Sequence, residues 1–284
     1  MATKRKIPLN VINGVAAGNT ATIQCPLGYT YHMIGFEYNT GTSGGPTEAN
    51  CEGELKEWRL KMDGVTQRVC STAQLFDINR KNGLTPVVGA SNGYVPFYFT
   101  EKQRQTQIER EATAWGTAGL GSFQIEVDID SGASSPGITA FAIVDDNSER
   151  TPSGIVKWKR ETLVVSSTGE TTFQLGTNSG DAYQGIYLFE GTADDINLAR
   201  LEWDGLNIYN LDENFYDLDI ASSDFVDVSG LKYISLDNNR PADVLPTIRQ
   251  RNGQAMKVQE MLLTLDMENA NNVTMIRELV GAPY

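Results

Sequence analysis

The sequence predicts an all-β protein: two tandem eight-stranded jelly rolls with a few short helices, residues 1–150 forming the N-terminal copy and residues 151–284 the C-terminal copy. Three observations predict it. The chain nearly repeats itself at about half its length. Short runs rich in β-branched and aromatic residues, separated by glycine-rich turns, follow one another through both halves. Helical signals are few, and 284 residues suit two domains of common size.

The repeat is a set of echoes in one order. Arg59-Leu60-Lys61-Met62-Asp63-Gly64 returns 141 residues later as Arg200-Leu201-Glu202-Trp203-Asp204-Gly205. In both, a strand-like alternation runs into an Asp-Gly pair, which suits the left-handed backbone of a tight hairpin turn. Thr22-Ile23-Gln24 returns as Thr172-Phe173-Gln174, and Phe76-Asp77-Ile78 as Leu218-Asp219-Ile220. The run from Phe123 to Ile129 has a counterpart in Leu263 to Met267.

The elements follow in order. Thr20 to Gln24 and Thr30 to Tyr38 read as strands parted by Gly28, with Gly41, Gly44 and Gly45 closing the second. Thr40 to Glu57 reads as extra loop. Glu57 to Met62 and Val65 to Val69 flank the Asp63-Gly64 turn. Gly93 to Thr100 is a strand whose Pro96 belongs at an edge or bulge. Glu101 to Trp115 has helix formers, stopped by Gly116. Phe123 to Ile129 alternates strictly, and Ile138 to Val144 follows the Ser134-Ser135-Pro136-Gly137 turn. Beyond a polar boundary at Asp145 to Gly154, strands are expected at Thr162 to Ser166, Thr171 to Leu175, Gly185 to Phe189, Leu198 to Trp203, Phe225 to Val228, Tyr233 to Leu236, Met261 to Met267 and Asn272 to Leu279. Ala73 to Asn79 and Leu211 to Asp217 read as short helices at matching places. A helix over Pro241 to Gln259 would be interrupted by Pro246 and Gly253. The jelly roll fits the strand count best, although on count alone an immunoglobulin-like pair stays open.

Composition narrows the function. The net charge of −13 argues against direct nucleic-acid binding, which phosphate neutralisation drives. Lys4-Arg5-Lys6, Lys157 with Lys159 and Arg160, and Arg249 with Arg251 are the compact basic clusters, and none is interleaved with aromatics in a nucleic-acid-binding pattern. Cys25, Cys51 and Cys70 cannot all pair within one chain and have no metal-ligand spacing, which fits reduced thiols made in a cytosol. A single Cys51–Cys70 bridge is the one alternative. The N-terminus starts like a signal peptide but lacks its apolar core, and no stretch reaches the roughly 20 residues of a membrane span.

The search for chemistry returns little. His32, the single histidine, lies in a strand, where a structural role outweighs a catalytic one; its isolation disfavours Ser-His-Asp chemistry and multi-histidine zinc. Gly116-Thr117-Ala118-Gly119-Leu120-Gly121 precedes a strand rather than opening a helix, so it reads as a turn and not a phosphate loop. Asp128 with Asp130, Asp145-Asp146, Asp194-Asp195, Asp212-Glu213, and the group Asp217, Asp219, Asp224 and Asp227 could pair for glycoside hydrolysis or hold calcium. With 36 acidic residues the solvated-surface reading is the simpler one. Trp58 and Trp203, beside the repeated turns, read as core or interface rather than a sugar platform. The expectation is a protein that is not an enzyme.

A family likeness completes the reading. Ile12-Asn13-Gly14-Val15-Ala16-Ala17-Gly18-Asn19 followed by Pro26-Leu27-Gly28-Tyr29-Thr30-Tyr31, both Asp-Gly hairpins, and Gly116 to Gly121 running into Ile125 to Asp130 resemble the double jelly-roll major capsid proteins of membrane-containing icosahedral phages, of the corticovirus type. The resemblance implies a homotrimer of pseudo-hexagonal outline. Such trimers tile an icosahedral shell over an internal lipid membrane, beside vertex and minor membrane proteins, in a virion made in the host cytoplasm. It also implies a place for structural calcium between chains. Lys4, Arg5 and Lys6 would then form a membrane-facing N-terminal arm, against the plainer reading of a disordered solubilising tail. The alternatives are a carbohydrate-binding or carbohydrate-active protein with two β-sandwiches, since one fold hosts many functions, and a phage spike. The first usually carries an export signal and the second fibrous repeats, and neither is seen.

Overall fold

A computed structural model describes residues 3–41, 46–85, 87–88, 93–101, 104, 106–177, 180–223, 225–236, 244–251 and 254–283. Gly44, Gly45, Pro241, Gly253 and Asp224 fall outside them. The chain divides into two compact units, residues 1–158 with 282–284, and residues 159–281. The first holds β1 (Arg5–Pro8), β2 (Ile12–Asn13), β3 (Thr20–Gln24), β4 (Thr30–Asn39), α1 (Glu48–Glu54), β5 (Leu55–Met62), β6 (Val65–Ser71), α2 (Thr72–Lys81), β7 (Val87–Val88), β8 (Gly93–Tyr98), α3 (Gln107–Ala112), β9 (Trp115–Gly116), β10 (Phe123–Ile129) and β11 (Gly137–Asp145). Strand β12 (Ile155–Leu163) begins in the first unit and ends in the second. The second continues with β13 (Gly169–Gln174), β14 (Ala182–Phe189), β15 (Ile196–Trp203), β16 (Leu206–Asp212), α4 (Glu213–Ser222), β17 (Leu231–Ser235), β18 (Leu245–Pro246), β19 (Ile248–Arg251), β20 (Gln254–Lys257), β21 (Met261–Met267) and β22 (Val273–Gly281).

The strand orders are duplicates. The first unit has β1-β11-β4-β8 and β6-β5-β10-β3; the second has β12-β22-β14-β17 and β16-β15-β21-β13. Substituting counterparts in chain order turns one into the other. Even the short β9, which pairs β4 off the main path, has its counterpart in β18 on β14. Apart from the β5–β6 and β15–β16 hairpins and the short β9 and β18, successive counterpart strands pass from one sheet to the other, the wiring of a jelly roll. The double jelly roll read from the sequence is therefore the observed fold.

Alternation explains which side chains enter each core. In β10, Phe123, Ile125, Val127 and Ile129 are buried while Gln124, Glu126 and Asp128 are partly exposed. The first core is aromatic. Trp58 lies 4.7 Å from Phe36 and 5.3 Å from Phe97 between ring centroids, and its indole N–H donates to Thr72 Oγ1 at 2.9 Å, pinning the start of α2. The second core is largely aliphatic, built on residues such as Leu188, Leu201, Leu263, Leu265 and Met275. The position 141 residues after Trp58 is Ala199, paired with Leu265 as Trp58 pairs with Val127. A small cavity lined by Ala199, Tyr209, Tyr216 and Ile234 lies under α4 there.

Five expectations need correction. The strand expected at Thr162 to Ser166 is only the end of β12, which starts at Ile155 and stops at Leu163. The helix over Glu101 to Trp115 shrinks to α3, capped by Thr106 with Glu109. Trp115 is drawn instead onto β4, where its buried ring packs on Phe99 and Phe123, and tertiary burial overrides local propensity. Pro241 to Gln259 yields no helix among its described residues but β18 and the β19–β20 hairpin. Phe225 to Val228 is not a strand: Phe225 packs edge-on against Tyr233, and Val228 makes one isolated bridge. Thr40 to Glu57 contains α1, whose Thr47 and Asn50 form a reciprocal cap. Pro96 behaves as expected, since the β7 pairing ends at Tyr94, two residues before it.

Candidate assembly surfaces

The repeated Asp-Gly turns are the same device built twice. Asp63 and Asp204 both have φ of +48°, with Gly64 and Gly205 at +79° and +75°. Asparagine and aspartate tolerate this left-handed region better than most residues. Each carboxylate also latches the approach to the neighbouring strand. Asp63 Oδ1 accepts from the backbone N–H groups of Gly121 and Ser122 at 2.8 and 2.7 Å, just before β10. Asp204 Oδ1 accepts from Gln259 and Glu260 at 2.9 and 3.1 Å, just before β21. The return bonds match too, from Asp63 N to Ser122 O and from Asp204 N to Glu260 O.

Outside the first core, β5, β10 and β3 carry a ladder of paired charges. Arg59 takes Asp128 through both Nη atoms at 2.7 and 2.6 Å, Glu57 at 2.7 Å and Glu126 at 3.2 Å. Lys61 adds Glu126 at 2.7 Å, and Thr20 donates to Asp128 at 2.6 Å. Hydrogen bonding to Arg59 holds the Asp128 carboxyl below its ordinary range. The counterpart Arg200 reaches Glu170 and Glu202 only at 3.4 Å.

The two counterpart helices differ most. α2 begins 141 residues before α4, so its partly buried Gln74 and Asp77 match Phe215 and Leu218. The echo of Phe76 with Leu218 is thus one residue out of structural register. Gln74 closes the N-terminal capping box with Ser71, and Asp77 pairs with Arg80, which also meets Glu48 of α1. On α4, Phe215 and Leu218 are 59% and 62% exposed, and Val226 just beyond the helix is 49% exposed. The inner side of α4 is anchored: Asp212 caps Phe215 N, Tyr216 Oη accepts from Tyr233 N at 2.9 Å, and Lys232 lies over the Tyr216 ring.

Sequence-predicted site residues fall as follows. Arg5 and Lys6 are in β1, paired with β11. Lys4 bridges to Glu111 at 2.6 Å, Arg5 bridges to Asp146 at 2.8 Å and lies over the Tyr29 ring, and Lys6 is exposed. His32 is buried with Nε2 at 2.7 Å from Asp145; burial holds it below its ordinary pKa of 6.5 against the raising effect of that bond. Asp195 is buried and held by Asn269 and Asn271, both at 2.6 Å. Asp130, Asp145, Asp146, Asp195 and Asp212 thus serve turns, caps and ion pairs, and no group of three or more His, Cys, Asp or Glu among the described residues is placed to hold a metal. The three cysteines are buried, and none of them is in a disulfide. Trp58 is core, and Trp203 packs partly buried against the second core.

Sequence reasoning missed Arg68. It is 2% exposed, donates to Val156 O at 2.8 Å and Tyr98 O at 2.7 Å, and lies over the Phe99, Trp115 and Trp158 rings. It looks like an ordinary outward strand residue in Thr66-Gln67-Arg68-Val69, so no signal marked it. The bare outer face of α4 did leave a signal, because Phe215, Tyr216, Leu218 and Ile220 are too many apolar residues for one buried stripe.

Two jelly rolls of identical wiring in one chain define a double jelly-roll protein. A family described as the viral coat protein P2 N-terminal domain matches residues 6–145, and the viral coat protein P2 C-terminal domain matches residues 155–283. The chain belongs to the P2 family of viral coat proteins. It is similar to the major capsid protein P2 of Pseudoalteromonas phage PM2, 29% identical over 139 residues; the match spans 47% of this chain and 47% of that relative, about half its length. The crystal structure of P2 from bacteriophage PM2 superposes with a TM-score of 0.80 at 21% identity, covering 98% of this chain and 97% of that one. The STIV MCP gives 0.71 at 12% identity over 99% and 98%. The PBCV-1 virus capsid chain gives 0.65 at 13% identity over 98% and 93%. At these identities the superpositions speak for the fold.

Proposed function

We propose that this chain is a major capsid subunit: three copies associate into a pseudo-hexagonal tile, and tiles pave an icosahedral shell over an internal lipid membrane. The observation that carries the reading is the strand-for-strand duplication. Three chains with two like jelly rolls each supply six similar blocks, and a near-sixfold tile packs a lattice with few distinct contacts. Membership of the P2 family supports the capsid role. Partners are then neighbouring tiles, vertex and minor membrane proteins, and the lipid surface. Exposed Lys6, with Lys4 and Arg5 beside it, is the basic element for anionic head groups, at around 1 kcal/mol per residue.

Electron microscopy of the purified protein tests this. Class averages with a flat, six-lobed outline support the tile; two-lobed single chains at micromolar concentration contradict it. Flotation with vesicles containing anionic lipid tests the arm separately: binding that survives Lys4→Ala, Arg5→Ala and Lys6→Ala together removes the membrane role from these residues.

A further inference from the structure

The outer side of α4 carries two large apolar side chains where its counterpart α2 carries polar ones, and nothing among the described residues of the second unit covers them: Phe215 and Leu218 are 59% and 62% exposed. Beneath α2 the Trp58 indole bonds Thr72, whereas the matching Ala199 lines a small pocket together with Tyr216 of α4. Large apolar side chains held out to solvent side by side on a helix mark a contact surface.

Charge says which surface meets it. Residues 159–281 contain nine Lys and Arg against twenty Asp and Glu, a net of −11, while the first unit contains fourteen against sixteen, a net of −2. Around the helix, residues 212–227 include six acidic residues and no basic one. Two α4 faces meeting about a twofold axis would set twelve carboxylates together, and desolvated like charges oppose association. The nearly neutral first unit carries no such penalty.

We propose that the α4 face, centred on Phe215 and Leu218, docks against the first unit of a second copy of this chain, in a head-to-tail contact. Such a heterologous contact closes into a ring when its rotation permits, and three copies in a ring alternate the two kinds of unit. The inference rests on the trimeric reading given above and deepens it by naming the face that makes the contact.

The test is molar mass by light scattering at one fixed concentration for the wild type, for Phe215→Ser with Leu218→Asp, and for Val164→Ser. Val164 is 67% exposed in the second unit but outside the α4 face, so it serves as the control. Thermal melts followed by far-UV circular dichroism check that each variant is folded. The expected result is about 94 kDa, three times 31.2 kDa, for the wild type and the Val164 variant, falling to about 31 kDa for the folded double variant. A folded double variant that stays trimeric overturns the docking face and leaves the trimer intact. A monomeric wild type overturns the trimeric reading, and this inference with it. If the double variant is unfolded, Leu218→Ser alone takes its place, with at least a tenfold weaker self-association expected and an unchanged one overturning the proposal.

Discussion

Arg59 and Arg200 sit at the same position of counterpart strands, yet Arg59 grips three carboxylates at 2.6 to 3.2 Å while Arg200 reaches two at 3.4 Å. The contrast recurs wherever the units are compared. Trp58 corresponds to Ala199, Asp77 to Leu218, and a net charge of −2 to one of −11. The turns, by contrast, are kept down to the pair of backbone bonds at each aspartate. What duplication preserved is the wiring and the devices that fix strand order. What it changed is core chemistry and outer surface. In the tile proposed above, that division would separate the features giving each block its shape from those giving each edge its identity.

The sharpest way to break the comparison is through the cores. Trp58→Ala should cost about 3–5 kcal/mol, because it empties a filled aromatic site, read as a lowered denaturation midpoint. Ala199→Val, beside an existing cavity, should change stability by less than about 1.5 kcal/mol. Equal large losses at both sites would mean the second core is packed as tightly as the first.

The turns should behave alike instead. Asp63→Ala and Asp204→Ala should each cost about 1–3 kcal/mol, since each removes two hydrogen bonds worth about 0.5–1.5 kcal/mol apiece. A loss at one with none at the other would show that the latch is not one device used twice.

Smaller again is the outer ladder. Removing Arg59 should cost about 1 kcal/mol, weakening with added salt, while Arg200→Ala should cost a few tenths, as exposed pairs usually do. A cost for Arg200 as large as that for Arg59 would undo the contrast drawn between the two faces.

The smallest effect is in pH. Burial lowers the His32 pKa below 6.5, so the folded chain favours the neutral ring. As pH falls below 6.5 the unfolded chain takes up the proton first, and the stability tied to the neutral ring is lost on the way down to the folded pKa. The groups near it are Asp145, Lys4 and Glu111. His32→Gln should flatten the melting-temperature slope in that window. Since the second unit has no histidine, an unchanged slope would assign the acid sensitivity to carboxylates.

The fold was legible because periodicity and turn chemistry agree in both halves. Phe123 to Ile129 alternates, and each Asp-Gly pair demands positive φ where the structure has it. Segments went wrong where distant contacts decide conformation. Trp115 leaves a helix-forming stretch because a buried aromatic site waits on β4. The α1 helix was hidden because its cap uses Asn50 where Glu or Gln is the usual signal. Surfaces were less legible still. That Asp63 accepts from Gly121 and Ser122 depends on a neighbour nearly 60 residues away. The exposure of Leu218 follows from the packing of Tyr216 and Ile220 on the inner side, and a one-residue error in the echo had matched Leu218 with the buried Phe76.

The central claim is that two like blocks in one chain exist to build a six-block tile. Light scattering on the wild-type protein tests it most directly. A mass of about 94 kDa, three times 31.2 kDa, stable across a tenfold dilution, is the result predicted. A steady mass of about 31 kDa over the same range would contradict it.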